Sequence, residues 1–357
     1  MTRLIPLLAL LLLAAQPAFA AERWPVKQGD FTIRDFHFGD GETLPQLRIH
    51  YRTLGTPARD PSGKVRNAVL ILHGTSGAGD NFLTDDFAGV LFGPGQLLDA
   101  SKYYIILPDG IGHGGSSKPS DGLRAHFPHY DYADMVRAQY ALVTDGLHVN
   151  HLRLVAGTSM GCMHTWMWGE SHPQFMDALM PLACLPVQIA GRNRMMRTMI
   201  MDAIRNDPAW NHGDYKQQPR QGMTTAIDIL MLMISDPQHW HARYPTRDQA
   251  DAYLHAQLAK RLAEYDANDL LYQFDASRTY DPSAQLDRIE APVMAINSAD
   301  DQVNPPELNI MPKEIKKVRH GRYVLLPITD QTQGHHTHSL PIVWKGYLAE
   351  LLKESQH

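Results

Sequence analysis

At 357 residues the chain has room for one large α/β domain or two smaller ones, and its 44% hydrophobic and 20% charged residues suit a soluble protein with a full core. A formal net charge of -5 provides no field that would draw in nucleic acid or an anionic membrane. The sequence has no internal repeats or low-complexity tracts, and most of its 19 histidines are scattered singly.

The first 20 residues read as a leader rather than as part of a fold. Arg3 supplies a positive start, Leu4 to Ala15 an apolar run, and Ala18-Phe19-Ala20 a small-x-small cleavage site, so cleavage after Ala20 and export to the periplasm or beyond are expected. The apolar run is short for a membrane span, no cysteine follows it for a lipid anchor, and no later segment is long enough to cross a bilayer.

Phe31 to Phe38 alternates with the period of a strand, and Gln46 to Thr53 reads as its neighbour across Gly39-Asp40-Gly41. Further strands are expected at Ala68 to Leu72, Tyr104 to Leu107, Leu152 to Ala156, Leu179 to Cys184, Val293 to Ile296 and Tyr323 to Leu326. These are short apolar runs without alternation, as parallel strands covered on both faces require. Helical stretches such as Tyr132 to Thr144 and Gly161 to Glu170 lie between them. The alternation predicts a doubly wound, mostly parallel sheet whose ligands bind beyond the carboxyl ends of the strands.

From about Val187 to Tyr280 no strand is convincing. Residues 187–280 are therefore read as a helical cap inserted into a core made of 21–186 and 281–357. Within it, Ile227 to Ile234 is apolar nearly all round, which calls for packing against the core or a second subunit, or for a wall of an acyl pocket. A homodimer through the cap helices would use the same surface.

The most informative residues are Gly157-Thr158-Ser159-Met160-Gly161, directly after the apolar run Leu152 to Ala156. A strand that breaks into Gly-x-Ser-x-Gly and then a helix is a nucleophile elbow, which lifts the serine above the sheet edge for attack on an acyl carbonyl. Such a serine needs a histidine to take its proton and a carboxylate to hold that histidine's tautomer. Asp301, preferred over Asp300, lies in the loop after Val293 to Ile296, and His335 follows Gly334 after Tyr323 to Leu326. The oxyanion would meet the amides of Met160 and of Thr75, the latter in His73-Gly74-Thr75-Ser76-Gly77. His335, His336 and His338 invite a metal reading, but no carboxylate or cysteine joins them at ligand spacing, so neither metal nor other cofactor is expected. Cys162 and Cys184 read more simply as small buried hydrophobes, although an oxidising compartment would allow a disulfide.

The chain resembles α/β-hydrolases of the homoserine O-acetyltransferase type over nearly all of its mature length. The resemblance is carried by Tyr51-Arg52-Thr53-Leu54-Gly55-Thr56, Gly93-Pro94-Gly95 with Leu98-Asp99, and the elbow. It extends to Asp207-Pro208-Ala209-Trp210 with Gly213, Tyr215, Pro219 and Gly222, to Asp301 with Pro305-Pro306, and to Gly334-His335. It implies a Ser159–His335–Asp301 triad with the Met160 and Thr75 amides as oxyanion donors. Where the homoserine enzymes follow the histidine with a substrate-holding aspartate, this chain has His336, and Ile227 and Ile234 stand where they carry an arginine and a tyrosine. These departures point to hydrolysis of a small or medium, largely uncharged ester, with acyl-CoA-dependent transfer as the alternative.

Overall fold

The computed structural model describes residues 25–356, and the leader reading of 1–20 lies outside the described residues. Eight strands are present: β1 (Lys27–His37), β2 (Thr43–Leu54), β3 (Ala68–Leu72), β4 (Tyr104–Pro108), β5 (Leu154–Thr158), β6 (Leu179–Leu182), β7 (Val293–Ser298) and β8 (Gly321–Leu326). They form one sheet in the order β1-β2-β4-β3-β5-β6-β7-β8. β1 and β2 pair antiparallel, with Phe31 opposite Ile49, and β2 joins β4 antiparallel. All remaining pairs are parallel. β3, β4, β5, β6 and β7 are buried along their whole length, which is why their sequences show no alternation.

Ten α-helices complete the described chain: α1 (Ala88–Leu91), α2 (Tyr132–Ala141), α3 (Met160–Ser171), α4 (Gly191–Arg205), α5 (Arg220–Met233), α6 (Pro237–Arg243), α7 (Arg247–Glu264), α8 (Ala267–Asp275), α9 (Met311–Glu314) and α10 (Pro341–Glu354). α2 starts on a reciprocal cap, in which the Asp134 amide donates to Asp131 and the Asp131 amide donates back to Asp134. Its expected last residues instead form a π turn over Leu142–Gly146. α10 lays Trp344, Leu348 and Leu351 on one face of the sheet beside α1, while Met163 and Trp166 of α3 and Met135 of α2 fill the other. A helical layer on each face gives the doubly wound arrangement.

The stretch between β6 and β7 holds α4 to α8 and no strand. α4 buries Ile200, Met201 and Ile204 in the same cluster as Met223, Ala226, Ile227 and Leu230 of α5. The α8 hydroxyl of Tyr272 donates to the Phe127 carbonyl at 2.7 Å, which fastens this insertion back to the core. After β3 the chain forms β4 on one side and β5 on the other, so a crevice opens beyond the carboxyl ends of β3 and β5.

β6 ends earlier than its apolar run because Ala183 takes a φ of 65°, outside any strand conformation. This bend carries Cys184 toward the first turn of α3, and Cys162 and Cys184 are joined as a disulfide with Cα atoms 5.9 Å apart. The reading of two unlinked hydrophobes is thereby corrected; both residues are fully buried, but the parallel register of Thr158 with Leu182 sets their backbones side by side. Cross-linking residues 22 apart restricts the unfolded chain by about 3 kcal/mol. Cys162→Ala/Cys184→Ala is expected to lower Tm by roughly 4 °C. A fall below about 2 °C in thermal unfolding would show that native packing, not the cross-link, carries this stability.

Candidate active site

β5 delivers Ser159 into a turn that ordinary residues avoid, at φ 52° and ψ -108°. The flanking glycines are required by space. A Cβ on Gly157 would lie 2.1 Å from the Gly161 carbonyl oxygen, and one on Gly161 would lie 2.0 Å from that of Leu72. The strand, elbow and helix can therefore close only without side chains at those two positions. The result is a serine that remains partly accessible between a buried strand and a buried helix turn.

β7 and β8 bring the other two side chains to the same edge. The Ser159 hydroxyl lies 2.9 Å from His335 Nε2, and His335 Nδ1 lies 3.0 Å from Asp301 Oδ2. Asp301 is fully buried, and it accepts the Val303 amide at 2.8 Å and the Asn304 side-chain amide at 3.1 Å. Burial alone would raise this carboxyl, but the neighbouring His335 and these donors hold it below the usual carboxylate range. An ionised Asp301 fixes the proton on Nδ1 and leaves the Nε2 lone pair facing the serine. Asp300 accepts instead from the Ser298 hydroxyl and shares a hydrogen bond with Asp236 of the insertion, so it takes no part in orienting His335.

The loop after β3 lies beside the elbow because Leu72 and Gly157 are register partners. A Cβ on Gly74 would come within 3.3 Å of the Ser159 Cβ, so the Gly74–Thr75 backbone borders Ser159 directly. Met160 opens α3, and an amide in the first turn of a helix has no intrahelical acceptor. His73 holds this loop: its Nδ1–H donates to the Gly74 carbonyl at 2.8 Å, and its Nε2 accepts the Gly110 amide at 2.9 Å. That pattern requires neutral imidazole, which burial enforces by lowering its proton affinity. The Thr75 hydroxyl is buried in the same wall without a protein partner.

The alpha/beta hydrolase fold family matches residues 67–336, a span that contains the serine, the aspartate and the histidine. A homoserine O-acetyltransferase of Moorella thermoacetica is 31% identical over 69% of this chain and 72% of its own. The chain belongs to the α/β-hydrolases, in the homoserine O-acetyltransferase-like family. A probable acyltransferase of Methanothermobacter thermautotrophicus is 28% identical over 79% of this hydrolase and 85% of its own length. The crystal structure of the acetyl esterase MekB superposes with a TM-score of 0.79 at 23% identity, covering 92% of this hydrolase and 97% of that chain. Esterases and acyltransferases thus both occur among proteins similar to this α/β-hydrolase.

The serine of this hydrolase opens into a cavity of about 820 Å³ between core and insertion. Ile234 and His336 lie on its wall, as the sequence suggests, with the His336 ring exposed to the open space. Ile227 does not. It is fully buried between helices of the insertion, because the apolar run turns its 227 face inward while Leu230, Met231 and Met233 of the same run reach the cavity. Nor is the wall largely uncharged: Arg197, Arg243 and Arg261 line it together with Asp86 and Asp236. His338 stacks edge-on against His335 with ring centroids 5.1 Å apart. Sequence reasoning passed over Arg197, although a signal was present. It occupies the apolar stripe of α4, three and four residues before Ile200 and Met201.

Proposed function

We propose that this α/β-hydrolase is an exported serine esterase that cleaves a small to medium carboxylic ester through an acyl-serine intermediate. The observation that carries the proposal is the unbroken path of hydrogen bonds from Ser159 through His335 to Asp301, beside the Met160 and Thr75 amides. In this mechanism Ser159 Oγ bonds to the ester carbonyl carbon while its proton moves to His335 Nε2. The negative charge gathers on the former carbonyl oxygen, where the two amides stabilise it. The carbonyl–alkoxide bond then breaks, and the leaving oxygen takes the proton from Nε2. Water repeats the sequence against the acyl-serine, releasing the carboxylic acid and returning the proton to Ser159. Export is supported by the leader pattern and by the Cys162–Cys184 disulfide, a linkage that is rare in reducing cytosol.

Purified protein is expected to hydrolyse p-nitrophenyl butyrate and to be labelled by a fluorophosphonate at Ser159, with Ser159→Ala losing at least ~10³-fold in kcat. An unlabelled serine, or activity that survives the substitution, would overturn this reading. The names of the relatives favour a second reading, acyl transfer from an acyl-CoA to homoserine. His336 and Ile234 in the cavity wall, in place of the aspartate and tyrosine of the homoserine enzymes, argue for water as the acceptor. Formation of O-acetylhomoserine from acetyl-CoA and homoserine would decide for transfer.

A further inference from the structure

Arg197 stands in the middle of α4, on the stripe that buries Ile200, Met201 and Ile204, and is only 2% exposed. Its Nε–H donates to Asn193 Oδ1 at 2.9 Å, and its Nη1 donates to the Ser277 hydroxyl at 3.2 Å. The guanidinium carbon lies 5.5 Å from the centre of the Phe274 ring. Among the described residues no carboxylate pairs with it, and Nη2 has no protein acceptor. A guanidinium has five N–H donors, so more than half of those on a buried cation stay unpaired in the protein itself. Buried charges are ordinarily matched by an opposite charge, since leaving one unmatched is strongly unfavourable. Here the missing charge has a place to come from: Arg197 and Phe274 both line the cavity that contains Ser159.

We infer that the substrate ester carries a carboxylate, and that Arg197 is the residue that receives it. The inference rests on reading Ser159 as the nucleophile and adds the chemical class of ester. The two bonds to Asn193 and Ser277 fix the plane of the guanidinium, so its free edge is prepared for two parallel N–H···O bonds to a planar carboxylate. The remaining charges of the cavity are of both signs. Arg243 and Arg261 add positive charge, and among the described residues the Arg261 side chain donates only to the neutral Gln257 side chain. Against them stand the exposed Asp86 and the buried Asp236, which is hydrogen-bonded to Asp300. Leu230, Met231 and Phe274 supply apolar surface for a short methylene chain in the same cavity.

The test compares esters of equal length on the native protein. One pair places the carboxylate on the acyl side, p-nitrophenyl hemiglutarate against p-nitrophenyl valerate. The other places it on the alcohol side, the acetyl ester of 4-hydroxybutyrate against butyl acetate. The carboxylate-bearing ester is expected to be favoured at least tenfold in kcat/KM in one pair, mainly through KM, and that pair identifies which half of the ester reaches Arg197. Arg197→Met should bring the ratio close to one, and Arg197→Lys should restore part of it. Ratios near or below one in both pairs overturn the inference, as does a preference unchanged in both variants. Should Arg197→Met fail to fold, the native ratios and the lysine variant decide. Cleavage of the neutral esters that depends on Ser159, without any preference for charge, would leave the esterase reading standing and remove this one. Should none of the four esters turn over, calorimetric titration with glutarate replaces the ratios: binding weakened at least tenfold in Arg197→Lys supports the site, and no binding overturns it.

Discussion

Asp301→Asn is expected to lower kcat for ester hydrolysis by about 10⁴-fold while leaving the fold intact, the magnitude seen for this replacement in a Ser-His-Asp triad. An asparagine amide presented to His335 Nδ1 donates where the carboxylate accepted. The imidazole then keeps its proton on Nε2, and the lone pair no longer faces Ser159. Asp301 Oδ2 lies 3.0 Å from Nδ1, and the same carboxylate is braced by Val303 and Asn304, so there is no slack for a different arrangement. Asp300→Asn, whose carboxyl turns to Ser298 and Asp236, should cost less than tenfold. Steady-state rates with a p-nitrophenyl ester check both. A loss below tenfold in Asp301→Asn would mean that the imidazole is oriented by something other than this aspartate.

Below pH 6.5 the protein is expected to lose stability steeply, at up to roughly 4 kcal/mol per pH unit. Three histidines behind the oxyanion loop, His73, His113 and His164, are buried, and their proton affinities are lowered, first by burial and then, for the latter two, by the neighbouring rings. His73 and His113 have ring centroids 5.0 Å apart. His164 is brought down to about 3 and accepts the Gln139 side-chain amide at 3.1 Å. A histidine that is harder to protonate in the folded chain than in the unfolded one stabilises the fold fully above its unfolded value near 6.5. It withdraws that stability as the pH falls, because the unfolded chain binds the proton first. Urea unfolding at pH 7.5, 6.0 and 5.0 measures the slope. A flat profile across that range would show that these rings are protonated in the native protein.

All eight strands are legible in the sequence, β1 and β2 by alternation and the other six as short apolar runs bounded by turn residues, and the misjudged ends have local causes. β5 starts two residues later than its run, since Leu152 forms only an isolated bridge to Met176 and the Arg153 side chain is drawn away to Ser355. The expected nucleophile, base and acid meet because each lies in the segment that follows a strand of the parallel part of the sheet, so the sequence position of a strand end already specifies an edge in space. The insertion offers no such rule. Its helices bury one face against each other and another against the core, so periodicity shows that Ile227 and Ile234 are apolar without showing that one is sealed inside and the other looks onto the cavity. The disulfide depended on the φ of Ala183, a single backbone angle that no residue pattern announces. Arg197 could have been noticed as a lone cation in an apolar stripe, but the free space in front of it could not.

Ser159, His335, Asp301 and the oxyanion loop come from segments on either side of the insertion, whereas Arg197, Leu230, Ile234 and Arg261 come from within it. In the proposed esterase, bond-making power and molecular taste are thus written on separate stretches of one polypeptide. Descendants of such a scaffold can drift toward new diets by rewriting the inserted helices alone, while the inherited chemistry beneath them stays untouched.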